Sequence, residues 1–172
     1  MDFKDLVKSR RSIRNFVDKE VSKDLIFELL EAARFAPSAG NCQPWHFYVV
    51  KNKELLARLG ERAYDREWFT KAPLAIVVCV DIPEAERRYK ERGRNLYCYQ
   101  DTAAAIQNIL LSAKALGLGS CWIGAFDEEA LVDILELDET TRPVAIIALG
   151  YPADEPIAPK RKPIEEITSF ID

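Results

Sequence analysis

Two periods in the hydrophobic pattern predict a protein built from both helices and strands. From Ser22, a suitable N-cap, to Phe35, apolar residues recur every three or four positions, as in a helix with one buried face. The apolar runs Leu74–Val80 and Pro143–Tyr151 lack that period and indicate buried strands. The other expected elements are helices at Asp2–Ser9 (apolar face Phe3, Leu6, Val7) and Lys53–Ala63, strands at His46–Val50 and Ser120–Phe126, a loop at Ala36–Trp45, and a charged helix or loop at Glu84–Arg92.

The segment Leu96–Leu116 is apolar on nearly every side, with small residues at positions 103–105. Such a helix is buried on several faces, either wrapped by the sheet or shared with a second subunit. The prolines at 156, 159 and 163 predict an extended tail from Pro152 to about Ile164, which needs another surface to pack on. We therefore expect an α+β fold, with a mixed sheet flanked by helices, a long buried central helix and an extended C-terminal tail.

Length and charge narrow the classes of function. A chain of 172 residues is expected to form one domain, spanning positions 1–172. A formal net charge of −4 argues against a nucleic-acid partner. No apolar run reaches membrane-spanning length, and the N-terminus lacks the apolar stretch of a secretory signal. We expect a cytoplasmic protein without a membrane partner.

Side chains that could carry chemistry by themselves are scarce. The four cysteines are scattered and the chain has one histidine, so no metal site is predicted. The cysteines are interpreted as reduced core residues, with Cys42 the exception because it lies in a polar loop. His46 lies in an alternating strand and is interpreted as structural. The segment "GLGSCWIG" has Trp122 where a dinucleotide-binding motif needs glycine or alanine. An enzyme with this composition would rely on a cofactor.

Two basic clusters near opposite ends of the chain are the candidate binding groups. "SRRSIRNF" (9–16) and "PKRKP" (159–163) could converge on one dianionic phosphate, because guanidinium groups bond phosphate oxygens in a fixed plane. The alternative is that both clusters are solvated surface charge. The loop 37–45 offers Ser38, Asn41 and Gln43 beside an aromatic residue, a mixture that suits a flat polar heterocycle. Gly124 would allow a ligand to approach the backbone. The alternative interpretation of the loop 37–45 is that its polar residues only form a turn. The alternative for the segment around Gly124 is that it only packs as a strand.

Five segments together resemble the nitroreductase family of FMN-dependent oxidoreductases, in particular its short members. They are "SRRSIRNF", "AARFAPSAGNCQPWHF", "AAAIQNILLSAKALGLGSCWIGAF", "IIALGYP" and "KRKP". They follow the family's order and cover nearly the whole chain. The resemblance implies the α+β fold above and an intertwined homodimer with two FMN sites at the subunit interface, with the tail reaching the partner subunit.

The resemblance also implies roles for individual residues. Arg10, Ser12 and Arg161 match positions on the flavin phosphate and ribityl chain, and Arg14 matches the cation at the pyrimidine edge of the ring. Ile123 and Gly124 match the strand end whose backbone N–H faces flavin N5. The loop that packs on the ring from the other subunit corresponds to Pro37, Ser38 and Ala39. The remaining candidates, of less specific role, are Arg11, Asn41, Gln43 and Lys160.

The implied reaction is hydride transfer from NADH or NADPH, through bound FMN, to a small-molecule acceptor such as a nitroaromatic or a quinone. Reductive dehalogenation, flavin breakdown and flavin binding without turnover are the alternatives. One departure from the family concerns the segment before the second strand, "YDREWFTKAP", where no equivalent of the usual amide or lysine aligns. Asp65, Arg66 and Trp68 are the possible substitutes, and Trp68 could instead be core or a wall of the substrate pocket.

Overall fold

The computed structural model describes residues 1–63 and 67–171 and contains one four-stranded sheet. Its strands are β1 (Trp45–Val50), β2 (Leu74–Asp81), β3 (Gly119–Ile123) and β4 (Thr141–Gly150). Their spatial order is β1-β2-β4-β3, and every neighbouring pair is antiparallel. The sheet of this chain is therefore antiparallel rather than mixed. Within the described residues, parallel pairing is limited to an isolated bridge between Ser12 and Ser120.

Helices pack on both faces of the sheet. They are α1 (Phe3–Ser9), α2 (Lys23–Arg34), α3 (Lys53–Arg62), α4 (Ile82–Arg92), α5 (Cys98–Ala115) and α6 (Glu128–Leu135). The predicted cap is confirmed: the Ser22 side chain accepts a hydrogen bond from the Leu25 amide at 3.4 Å. Among the described residues, no helix has the length and hydropathy needed to cross a bilayer.

The alternation of side chains along β2 explains the two-sided core. Leu74, Ile76 and Val78 belong to the apolar cluster that includes α2 and α5. Their neighbours Ala75 and Val77 belong to the cluster on the opposite face, which includes α3 and α6. Successive residues of a strand point to opposite faces, so a strand covered on both sides is apolar at every position. Burial on both faces therefore explains why apolar and polar residues do not alternate in the run Leu74–Val80.

The long helix expected within Leu96–Leu116 is present as α5, and the charged segment Glu84–Arg92 is helical within α4, but the chain between the two is irregular. α4 is followed by a π-helical turn, Gly93–Tyr97, and then by α5. Lys90, near the end of α4, has φ 49° and ψ −131°, which interrupts the helix. Most of α5 is buried or half-buried, as its apolar pattern predicted.

Three features differ from the sequence expectations. α6 was not predicted, because its eight residues include only one fully buried side chain, Leu131. β3 ends at Ile123, and beyond it Phe126 forms only an isolated bridge with Ala63. The apolar face of α1 exists but is not covered within this chain, since Phe3 is 71% exposed.

The tail is extended as predicted and ends in a single 3-10 turn, Ile164–Ile167. It is exposed along nearly its whole length, and Phe170 is 90% exposed. Within the part of the chain that the structure describes, the apolar side chains at the end of the tail are therefore left uncovered.

Candidate functional site

The N-terminal basic segment lies along the edge of the sheet beside β3. Ser12 forms the parallel bridge with Ser120, and the Ile13 amide donates to the Ser120 carbonyl at 2.9 Å. A Cβ on Gly119 would lie 2.8 Å from Ile13 Cγ1, so glycine is required for this close approach. Ile13 is buried on one side of the segment. The burial and the backbone bonds fix the direction in which the neighbouring arginines leave the chain.

A second set of backbone bonds joins the same segment to the beginning of the tail. The Val17 amide donates to the Tyr151 carbonyl at 2.9 Å, and the Ala153 amide donates to the Asn15 carbonyl at 3.0 Å. Phe16 is buried between them. The tail therefore starts directly beside the basic segment, and this explains how residues about 150 positions apart in sequence become neighbours.

One cavity of about 280 Å³ lies between these two parts of the chain. Its walls combine basic residues with apolar tail residues: Arg10, Arg11, Ser12, Arg14, Pro156, Ile157, Pro159 and Arg161. The pKa of Arg10 is lowered, first by burial and then by the positive charges of Arg161 and Arg11. A cation whose charged form is disfavoured in this way is an attractive partner for an anion.

The arginines of the cluster have different surroundings. Arg11 donates from Nη1 to the Lys8 carbonyl at 2.6 Å and to its neighbour's carbonyl at 2.9 Å, so its guanidinium caps the end of α1. Arg14 is exposed, with its guanidinium carbon 5.8 Å from the centroid of the Trp68 ring. That distance is typical of a cation–π contact. Trp68 itself is half-buried and meets Phe69 edge-on, with centroids 6.3 Å apart.

Eight of the predicted site residues do not line this cavity: three in the tail or at the end of β3, and five in the loop 37–43. Lys160 is exposed in the tail next to Arg161, but its side chain is not part of the cavity wall. Ile123 is buried at the end of β3, whereas Gly124 is exposed. Among the described residues, none other than its two chain neighbours has an atom within 4 Å of the position that a Cβ on Gly124 would take.

The loop that carries Pro37, Ser38, Ala39, Asn41 and Gln43 lies at the opposite corner of the sheet. It leads into β1, which is separated from β3 by two strands, or about 14 Å. The first residue of β1 lies beside the end of β2 and the start of β4, whereas Ser120 pairs with Leu149 near the end of β4. A single chain therefore brings the arginines together but does not bring this loop to them.

Side chains from two helices hold this loop. The Ala39 amide donates to Asp101 Oδ1 of α5 at 3.0 Å, and Arg88 Nη1 of α4 donates to the Gly40 carbonyl at 2.9 Å. Burial raises the pKa of Asp101, which is 8% exposed. Sequence reasoning missed both residues. A lone carboxylate within the apolar face of α5 was the available signal for Asp101.

The chain is similar to known proteins over most of its length. The model of the nitroreductase family matches residues 7–68 and 61–151. This protein belongs to the nitroreductase family. A provisionally named NADH dehydrogenase/NAD(P)H nitroreductase of Archaeoglobus fulgidus is 40% identical over 154 residues, which are 87% of this chain and 85% of that protein.

Solved structures of the nitroreductase family confirm the fold. A family protein from Streptococcus pneumoniae superposes with a TM-score of 0.91 at 27% identity, over 99% of this chain and all of that one. An FMN-dependent nitroreductase from Clostridium difficile superposes with a TM-score of 0.78 at 32% identity, over 90% of each chain.

Two other expectations can be compared with the structure of this family member. Cys79, Cys98 and Cys121 are buried, which agrees with their interpretation as core residues, and Cys42, which was set apart because of its polar loop, is buried as well. His46 is exposed on β1, with its ring 4.7 Å from that of Tyr48. Asp65 and Arg66, the possible substitutes before β2, lie outside the described residues.

Proposed function

We propose that this protein is an FMN-dependent oxidoreductase that uses NADH or NADPH and reduces a small acceptor such as a nitroaromatic or a quinone. The observation that carries the proposal is the convergence of Arg10 and Arg161, from opposite ends of the chain, on one cavity. The membership in the nitroreductase family and the names of the relatives support the same cofactor and electron donor.

The cavity has the donors that a terminal phosphate needs. Arg10 and Arg161 would share its oxygens, and the Ser12 hydroxyl would donate to the phosphate or the ribityl chain. The mutual repulsion that lowers the pKa of Arg10 would be relieved by a dianion between the two guanidinium groups. The cluster is thus better explained as an anion site than as solvated surface charge.

The ring of the flavin is proposed to lie further along the same edge. Because the bridge to Ser120 is parallel, the chain from Ser12 to Arg14 runs in the direction of β3, toward Ile123 and Gly124. Arg14 would place its cation at the pyrimidine edge, where reduction adds negative charge. The bound flavin would supply the hydride chemistry itself. Because Gly124 has no side chain and is exposed, the ring would be able to approach its backbone.

We further propose a homodimer in which each site is completed by the other subunit. The loop Pro37–Gln43 and the arginine cavity lie at opposite corners of the sheet of one chain, so a second chain is needed to bring a loop to each cavity. The uncovered apolar residues Phe3, Phe35 and Phe170 are consistent with such an interface.

The visible absorption spectrum of the purified protein tests the cofactor and the electron donor together. We expect a flavin spectrum after incubation with FMN and removal of the excess, and bleaching under anaerobic conditions by NADH, NADPH or both. A protein that stays colourless would contradict FMN binding. If FMN binds but neither nucleotide bleaches it, the protein binds flavin without having the proposed activity.

A turnover screen distinguishes the proposed acceptors from other flavin reactions. Nitroaromatic, quinone and haloaromatic compounds would be compared with and without oxygen. Turnover only with the haloaromatic compound would favour reductive dehalogenation, and oxygen-dependent loss of the flavin would favour flavin breakdown. The cytoplasmic location stays a prediction, which fractionation of the producing cells would test.

A further inference from the structure

The loop Ser38–Gln43 is held in a conformation that its residues do not favour. Gly40, Asn41 and Gln43 have φ of 57°, 55° and 53°, in the left-handed region. Asn41 and Gln43 carry a Cβ, for which this region costs free energy. Such strain persists only where the surroundings fix the backbone, and it is common at functional sites.

Two side chains fix two peptide groups of this strained turn, one on either side of the peptide that joins Ala39 to Gly40. Asp101 accepts from the amide of Ala39 at 3.0 Å, and Arg88 donates to the carbonyl of Gly40 at 2.9 Å. A Cβ on Gly40 would lie 2.7 Å from Arg88 Cδ, so the glycine makes room for the arginine. Within the loop, Ser38 Oγ accepts from the Gln43 amide at 3.0 Å and closes the turn.

The chain between the two residues that hold the loop is irregular. Arg88 and Asp101 are thirteen residues apart, which in a straight helix would separate them by about 20 Å along the axis. The left-handed Lys90 and the π-helical turn Gly93–Tyr97 lie between the two residues and redirect the chain. π-Helical turns often occur at functional sites.

We propose that Asp101 and Arg88 are positioning residues that hold the loop Ser38–Gln43 preformed for contact with the flavin. The inference rests on the proposed function, in which this loop packs on the ring bound by the other subunit. Neither residue touches the cofactor. By fixing the amide of Ala39 and the carbonyl of Gly40, they reduce the conformational freedom that the loop would otherwise lose on binding.

Arg88→Met is the first test, because it keeps most of the aliphatic stem and removes the donor on an exposed side chain. We expect the dissociation constant of FMN to rise about tenfold, the equivalent of one lost hydrogen bond. Arg87→Met is the matched control: Arg87 lies on the same helix and pairs with Glu84 at 2.6 Å. Equal FMN affinity in the two variants would overturn the proposal.

Asp101 is tested by two substitutions and by a readout that is independent of flavin. Asp101→Asn keeps an acceptor for the Ala39 amide and should bind FMN nearly as the wild type does, whereas Asp101→Ala should bind about tenfold more weakly. Hydrogen exchange of the Ala39 amide, followed by NMR without flavin, should accelerate in Asp101→Ala and in Arg88→Met but not in Arg87→Met.

The two measurements separate this inference from the proposed function. If the wild-type protein binds no FMN, the proposed function fails and so does the role of the loop in flavin binding. If FMN binds but exchange at Ala39 is the same in all variants, only the positioning role is refuted. If Asp101→Ala does not fold, the comparison of Arg88→Met with Arg87→Met still tests whether the side chain of Arg88 holds the loop.

Discussion

Positive side chains that repel one another are the clearest indication of an anion-binding site at the scale of single residues. Arg10 is partly buried and is disfavoured in its charged form by Arg161 and Arg11. The repulsion among these cations disfavours the folded protein unless an anion binds, because like charges at close range raise each other's energy. Functional sites commonly keep such local costs, since the ligand relieves them.

Removing one of these cations should therefore affect binding and stability in opposite directions. We expect Arg10→Met and Arg161→Met each to weaken FMN binding tenfold to a hundredfold, the range for hydrogen bonds to a charged group of about 1.5–3 kcal/mol. The melting temperature of the flavin-free protein should be unchanged or higher, because a repulsion is lost. Fluorescence titration and thermal unfolding measure the two effects.

Lys160→Met is the control for this pair of variants. Lys160 is adjacent to Arg161 in sequence and carries the same charge, but it does not line the cavity. Its substitution should change FMN affinity less than threefold. An equal loss in all three variants would indicate general attraction of an anion to a basic tail rather than a defined phosphate site.

The convergence of the arginines could be predicted from residue type and order, whereas the individual contacts could not. The sequence places basic groups at both ends of the chain, and resemblance assigns them to one phosphate. That Arg11 turns back to cap α1, or that Arg14 lies against Trp68, depends on the path of the backbone. Asp101 and Arg88 act on a loop about 50 to 60 positions away, a relation that no local pattern contains.

At the scale of elements, burial decided which predictions succeeded. The run Leu74–Val80 was recognised because a strand covered on both faces has no polar positions. α6 was not recognised because it is short and begins with two exposed or half-buried glutamates before its one buried leucine. A short helix of this kind depends on its cap and on packing more than on its own propensity.

The N-cap of α6 provides a direct test of that dependence. Asp127 accepts from the Ala130 amide at 3.1 Å. Asp127→Ala should lower the free energy of unfolding by about 1 kcal/mol, the usual value of an N-cap, and the melting temperature by roughly 2–4 °C for a chain of this size. Asp133→Ala, in the last turn of the same helix, should be neutral or slightly stabilising, because a negative charge there opposes the helix dipole. A larger loss for Asp133→Ala would contradict the capping role.

At the scale of the whole molecule, the predicted site is divided between two corners of one sheet. The arginine cavity lies near the end of β4, at the level of Leu149, whereas the strained loop lies near its start, at the level of Arg142. Seven residues of a strand separate these two levels, which corresponds to about 24 Å. Sequence order alone does not reveal this separation, because the basic segment 9–16 and the loop 37–43 both belong to the N-terminal third of the chain. The antiparallel strand order is what places them apart, and it is the reason that we propose a second subunit.

The exposed tail allows the role of its apolar end to be separated from the role of its arginine. Deleting residues 162–172 keeps Arg161 but removes Ile164, Ile167, Phe170 and Ile171, all of which are exposed in the single chain. If these side chains pack on the partner subunit, the deletion should raise the dimer dissociation constant at least tenfold, because several buried apolar residues are lost.

Sedimentation at several protein concentrations would measure this change. A full-length variant with Glu165→Ser and Glu166→Ser keeps the apolar residues, so it should dimerise like the wild type. FMN binding gives the second readout: it should weaken with dissociation of the truncated dimer and recover at protein concentrations that restore the dimer, since Arg161 is still present. A truncated chain that remains fully dimeric would show that the tail does not hold the subunits together. A full-length chain that is monomeric with FMN bound would refute the shared site itself.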